Sequence, residues 1–446
     1  MALTAPPVME QLVQSLVKDV TRLTDYLEST GHPAPSFDRS TPPVVLPDDA
    51  SEGAQAVRER ILDYALRIFQ LAAGPSEYLA NLQTGYHYIS CLRWLCHFRI
   101  FHLVPLEGSI PYADLAALAK VPEHALKSIT QMAMTNGLFV ETPPGHVSHS
   151  ATSALLQINS GFHDWAVFNS DISAPTALAM AEVHEKWKWP NTETNCAHTT
   201  QTAYNIAFNT DLPFFKHLGQ QEERHRQFAG YMRAVTASQG THLKQLVECW
   251  DWTSLGRGLV VDVGGSTGHA SIALARKFPE LRFIVEDLPD VVAGGPAYLE
   301  SQSQSQEDAD LASRITYQRH DFFEPQPAMA GDADVYLLRM ILHDWGFDDC
   351  VRILSRLVEA LRESKKRDGA RILIMDSVLP EPGSVPTSRE RLLRVRDLTM
   401  LQVFNSQERQ MEDWERIFTC VDERLVVKKV VQPAGSVLSI IELALE

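Results

Sequence analysis

The sequence predicts an α/β protein: a doubly wound, parallel sheet flanked by helices fills the C-terminal half, and a mainly helical region precedes it. Two observations carry this reading. The short apolar runs Leu259–Val263, Leu281–Val285, Val335–Leu338 and Arg371–Met375 alternate with helical patterns, and such alternation builds parallel sheets. A glycine-rich turn follows the first run directly and opens a helix, the usual place for a ligand in such sheets.

The totals set the frame. At 446 residues, with roughly 150 residues per domain as a prior, two or three domains are expected. We divide the chain into 1–60, 61–155, 156–250 and 251–446. The six cysteines (Cys91, Cys96, Cys196, Cys249, Cys350 and Cys420) show no paired CxxC spacing, which argues against a disulfide framework, a zinc site or any other metal centre. A formal net charge of -16, with no basic stripe interleaved with aromatics, argues against nucleic acid as a partner. No apolar run is long enough to cross a bilayer, and the start lacks a basic segment followed by an apolar one. A cytoplasmic location is the expectation.

From the N-terminus, Met9, Leu12, Leu16, Val20, Leu23 and Leu27 recur every three or four positions, an amphipathic helix. Pro33, Pro35, Pro42, Pro43 and Pro47 end it and make a linker or strap. A second helical region begins near Gly53, and Tyr86–Leu103 is apolar on most sides, as expected of a buried helix. Between Ile110 and His149 come a helix over Tyr112–Ala119, a break at Val121-Pro122, a helix to about Asn136, and two short strands around a Pro-Pro-Gly turn. This is a winged-helix pattern, and without a basic recognition helix it suits packing or dimerisation rather than DNA reading. The stretch 151–250 reads as helical. It is rich in aromatics (Trp165, Phe168, Trp187, Trp189, Phe208, Phe214, Phe215, Phe228) that serve as core or line an apolar pocket, with Trp165, Phe168, Phe228 and Met232 as pocket candidates. In the sheet region, the Ser301–Asp308 run and Glu381–Pro386 read as exposed insertions.

The glycine turn runs Asp262-Val-Gly264-Gly265-Ser266-Thr267-Gly268. A nicotinamide fingerprint, G-x-G-x-x-G, would need glycine at Ser266 and His269 and is not met. The turn instead has an acidic-x-G-x-x-x-G form, with no need to cradle a pyrophosphate. Asp287 lies about 20 residues further on, where a carboxylate can accept hydrogen bonds from both ribose hydroxyls. Turn and acid together point to a nucleoside cofactor.

Four segments then fall in one order and spacing: Val261–His269, Phe283–Pro289, His320–Pro325 and Leu338–Trp345. With them the chain resembles the plant-type, or caffeate-type, O-methyltransferases in a fungal variant, strongly over Leu259–Glu415 and more weakly over the winged-helix segment. The resemblance implies a Rossmann-like domain binding S-adenosylmethionine (SAM), behind an N-terminal winged-helix-type dimerisation domain that forms a homodimer. It implies that Gly264, Gly265 and Gly268 flank the methionine part, that Asp287 holds the ribose, and that Asp321 and Phe322 flank the adenine. Arg339 stands where many members have a lysine near the cofactor.

Transfer of a methyl group to a hydroxyl requires loss of the hydroxyl proton, and a histidine, with an ordinary pKa of about 6.5, suits that task. His343 follows the Val335–Leu338 strand at the carboxyl edge of the sheet. The resemblance supplies two acids to orient it, which map to Asp376 and Glu408; Gln410 stands where a threonine or serine is usual. The leading expectation is a SAM-dependent O-methyltransferase acting on a phenolic or enolic hydroxyl of an aromatic or polyketide-like small molecule. The alternatives are a pericyclase or dehydratase that binds SAM without consuming it, and a non-catalytic partner protein.

Overall fold

The computed structural model describes residues 7–47, 49–187, 199–302, 310–364 and 369–446. Cys196, Trp189 and most of the serine-glutamine run lie outside the described residues. The chain divides into two compact units. One comprises Met1–Ala179, Phe215–Val235 and Gly383–Leu392, and the other Met180–Phe214, Thr236–Pro382 and Leu393–Glu446.

The first unit opens with helix α1 (Val8–Thr30), which stops where Gly31 adopts a left-handed φ of 67° and the His32 N–H caps the Leu27 carbonyl. Helix α2 (Glu52–Ala73) begins where the Ser51 hydroxyl accepts the Ala54 N–H at 3.2 Å. The two are tied by a bidentate pair from Arg60 to the buried Asp19, at 2.7 and 3.1 Å. Only Leu12, Leu23 and Leu27 of the expected apolar stripe are buried, so α1 covers less than its pattern offers. Helix α3 (Tyr78–His97) then enters a core of Leu95, Ile100, Phe101, Leu115, Leu126 and Phe139. The helices Tyr112–Ala119 and Glu123–Met134 are followed by strands β2 (Val140–Glu141) and β3 (His146–Ser148). The structure adds a strand not foreseen, β1 (Ile110–Pro111), giving a three-stranded sheet in the order β1-β3-β2.

The second unit is built on a seven-stranded sheet. Its strands are β4 (Leu259–Val263), β5 (Arg282–Asp287), β6 (Ile315–Arg319), β7 (Val335–Arg339), β8 (Arg371–Asp376), β9 (Leu425–Val431) and β10 (Ser439–Leu445). Their order is β6-β5-β4-β7-β8-β10-β9. The first five are parallel; β10 runs antiparallel to β8 and β9, a closing hairpin absent from the sequence expectations.

Alternation along the strands sorts the core into two faces. Val261, Val263, Tyr336, Leu338, Ile372 and Ile374 pack with Leu354, Leu357, Trp414 and Phe418 of the helices Phe347–Glu363 and Met411–Val421. Val260, Phe283, Val285, Leu337, Leu373 and Met375 pack with Leu246, Trp252, Ile272 and Leu274 on the other side. Each such buried aliphatic or aromatic side chain stabilises by about 1.5–3 kcal/mol, so both faces must be covered by helices. The same alternation carries past the apolar runs and sets where the polar residues at the strand ends go. Among the described residues, no helix is long and apolar enough to cross a membrane.

Candidate active site

The glycine turn between β4 and the helix His269–Lys277 needs glycine for steric reasons. Gly264 and Gly268 have φ values of 72° and 85°, which side chains rarely adopt. A Cβ at Gly265 would lie 2.6 Å from the Asp262 carboxyl carbon and 2.9 Å from Val285. Asp287, at the end of the neighbouring β5, braces the turn: its Oδ2 accepts the Ser266 N–H at 2.9 Å and its Oδ1 the Leu288 N–H at 2.7 Å. Burial pushes the Asp287 carboxyl above its ordinary value, against the pull of those two N–H groups. Each oxygen keeps a second lone pair, enough for two hydroxyl donors. Tyr317 on β6, unremarked in the sequence, holds the turn from below: its hydroxyl donates to the Thr267 carbonyl at 3.0 Å, and a Cβ at Gly268 would meet that hydroxyl at 2.9 Å.

Two further residues singled out for the cofactor lie on the loop after β6. Asp321 is exposed and turns its carboxylate onto the Phe323 N–H at 3.0 Å. Phe322 is half-buried and meets the edge of Trp345, with ring centres 5.6 Å apart. Arg339, at the end of β7, donates to the Thr241 carbonyl at 2.6 Å, while its buried Nε has no acceptor among the described residues. Burial lowers its pKa to about 10, opposed by the carboxylates of Asp262 and Asp376. Asp262 takes the Ser271 hydroxyl at 2.7 Å and is pushed by burial up to about 6.

His343 lies in the middle of a single 3-10 turn, Leu342–Asp344, reached from β7 through Met340 at a φ of 56°. Its Nδ1 is 3.0 Å from Glu408 Oε1 and 3.9 Å from Asp376 Oδ1. The residues expected to act together are therefore together, although 65 positions separate His343 from Glu408. Asp344 was not singled out, yet its Oδ1 lies 3.6 Å from Nε2. Burial, the largest influence on the imidazole, opposes its protonation, but attraction to Glu408, Asp376 and Asp344 outweighs it and raises the pKa to about 9. Asp376 and Asp344 are pushed up to about 6, chiefly by burial and against the attraction of His343. Glu408 is also penalised by burial, but His343, Arg396 and Arg409 together hold it below the ordinary range. With Nδ1 engaged by Glu408, Nε2 is left with Asp344 as its nearest carboxylate, at 3.6 Å.

Comparisons with known proteins bear on this arrangement. Residues 189–421 match the O-methyltransferase domain family. The chain is 63% identical over 437 residues to the O-methyltransferase aoiF of Aspergillus oryzae, which spans 98% of this chain and 100% of that protein. The chain belongs to the O-methyltransferase family. It is a SAM-dependent methyltransferase. In overall fold it is similar to OxaC (TM-score 0.74, 19% identity, 98% of this chain and 99% of that one). It is similar also to LepI, solved with SAM (TM-score 0.70, 21% identity, 97% of this chain and 100% of that one). The residues present fit the cofactor: Asp287 offers paired acceptors beside the glycine turn, and the buried Arg339 Nε is a donor without an acceptor among the described residues.

Proposed function

We propose that this methyltransferase acts on a phenolic or enolic hydroxyl of a secondary metabolite, with His343 as general base. The observation that carries the reading is the 3.0 Å contact between His343 Nδ1 and Glu408, within a ring of three carboxylates. The contact sets the tautomer and makes Nε2 the basic atom. Bound SAM supplies an electrophilic sulfonium methyl. On the protein side, Nε2 takes the hydroxyl proton, and Glu408, Asp376 and Asp344 stabilise the imidazolium that results. Gly264, Gly265, Gly268 and Asp287 hold the methionine and ribose parts of the cofactor; Asp321 and Phe322 flank the base, and Arg339 completes the set.

OxaC has been crystallised with meleagrin and with oxaline, which supports a small-molecule substrate. Trp165 and Phe168, which pack with Phe228 and Tyr231 at ring distances of 4.6–5.8 Å, supply apolar surface within their own unit. We also propose a homodimer located in the cytoplasm. Tyr78, Leu79, Leu82 and Tyr86 are 56–70% exposed along α3, a run of apolar surface suited to a second copy of this chain.

The test is incubation with SAM, or with its trideuteromethyl form, in fungal metabolite extracts and with a panel of phenols, followed by mass spectrometry. The expected product gains one methyl, or one trideuteromethyl. His343→Gln should lose about 10²–10⁴-fold in turnover. Full turnover by that variant would overturn the base assignment.

A further inference from the structure

Arg409 directly follows Glu408 and is 2% exposed. A guanidinium stays charged at any working pH, so a chain buries one only where acceptors are arranged for it. Here the acceptors are backbone carbonyls of the catalytic turn. Arg409 Nη1 donates to the Leu342 carbonyl at 2.9 Å and Nη2 to the Trp345 carbonyl. These carbonyls lie on either side of His343. The guanidinium also lies 5.2 Å over the Trp414 ring, and the Arg409 carbonyl accepts the Leu379 N–H at 2.8 Å, which fastens this arginine to the exit of β8.

Other groups touch the same turn, but none grips it in this way. Asp376 Oδ2 accepts the Leu342 N–H at 3.1 Å, and the Ser406 hydroxyl donates to the Trp345 carbonyl at 2.9 Å. The Cys350 thiol lies 3.2 and 3.4 Å from the two carbonyls but carries a single weak donor. Among the described residues, Arg409 alone bridges the turn with two charged donors at once. Consecutive residues thus address the same histidine: Glu408 holds its ring, and Arg409 holds the backbone that presents the ring.

We propose that Arg409 is a positioning residue for methyl transfer, clamping the Leu342–Trp345 turn so that His343 Nδ1 meets Glu408 and Nε2 is presented to the substrate hydroxyl. It acts through His343 and does not touch the reacting atoms. Its consequence for turnover rests on His343 being the base.

An electrostatic role gives the opposite sign from the positioning role, and a merely structural role gives no shift. Loss of a nearby cation, by itself, makes an imidazole easier to protonate. Loss of the clamp parts His343 from Glu408 and makes it harder, because burial then acts with less opposition. A merely structural arginine leaves the titration where it was.

The experiment follows His343 by NMR in full-length protein carrying carbon-13 histidine, with His343→Gln to assign the resonance. Calorimetry with SAM reports on folding. In Arg409→Ala the His343 midpoint is expected to fall from about 9 toward its ordinary value of about 6.5, with SAM affinity changed by less than about threefold. Turnover should fall by about 10-fold or more, and added methylguanidinium should restore part of both the midpoint and the rate. Arg409→Lys, which keeps the charge but replaces the planar two-nitrogen fork with a single nitrogen, should fall between the two. A midpoint unchanged or raised in Arg409→Ala overturns the proposal. If that variant loses SAM binding through unfolding, Arg409→Lys decides, and an unmoved midpoint there overturns it equally. Should His343→Gln retain full turnover while the Arg409 variants still shift the midpoint, the base assignment falls and the clamp stands.

Discussion

Glu408→Gln isolates the group that makes His343 a strong base. In the native site the imidazole titrates at about 9 against an ordinary value of about 6.5, a gap worth about 3 kcal/mol in favour of the imidazolium. Burial works against that preference, and Glu408, at 3.0 Å, is the first of the carboxylates that overcome it. With its charge removed, burial is opposed only by Asp376 and Asp344, at 3.9 and 3.6 Å. The imidazole should then titrate at or below about 6.5. Glutamine keeps the shape and can still accept a hydrogen bond, so geometry changes little. The assay is kcat/KM for the identified substrate from about pH 6 to pH 10. In the wild type log kcat/KM should climb with unit slope toward pH 9, because only the neutral imidazole accepts a proton. In Glu408→Gln it should level out about 2.5 or more pH units earlier, at a plateau lower by about 10–10²-fold, since a weaker base transfers less efficiently. Near pH 7 the two curves should approach each other. The substrate hydroxyl is common to both, so the difference between the profiles belongs to the enzyme. Coincident inflections in the two proteins would refute the reasoning.

Three other outcomes are expected. Asp287→Ala removes the acceptor of the Ser266 N–H and the paired oxygens at the turn, and calorimetry should show SAM bound more weakly by about 1.5–3 kcal/mol. Gly265→Ala drives a methyl group to 2.6 Å from the Asp262 carboxyl carbon, so it should weaken SAM binding by about 10-fold or more and lower the melting temperature. Paired Leu79→Glu and Leu82→Glu substitutions, at positions 70% and 56% exposed, should convert a dimer to a monomer in sedimentation experiments without loss of helical circular dichroism; a wild type that sediments as a monomer would remove the homodimer from the proposal.

Much of the second unit was legible because its signals are local. An apolar strand, a turn that tolerates only glycine and an acid at the end of the next strand are neighbours in sequence or follow at a fixed interval, and β4, β5, β7 and β8 lie where their apolar runs predict. The β9–β10 hairpin was less legible, because on the edge strand β9 the exposed Lys428 and Lys429 interrupt the apolar run. Tyr317 and Arg409 gave no local signal at all. A tyrosine on an edge strand and an arginine beside a glutamate are ordinary residues until the carbonyls they bind are in place.

The sequence by itself therefore determined the parallel part of the sheet, the glycine turn and the acid after it, since each depends on backbone conformation and on alternation within a few residues. The same alternation fixes which face each residue at a strand end takes. Alternation sends Asp262, Asp287 and Arg339 to the face shared with the glycine turn, and it sends Asp376 to the face where Trp414 packs and Arg409 reaches the Leu342–Trp345 turn. Tertiary structure alone brought Glu408 to His343 across 65 residues and surrounded one imidazole with three carboxylates. Electrostatic energy depends on separation through space and on exclusion of water, neither of which can be read along a chain.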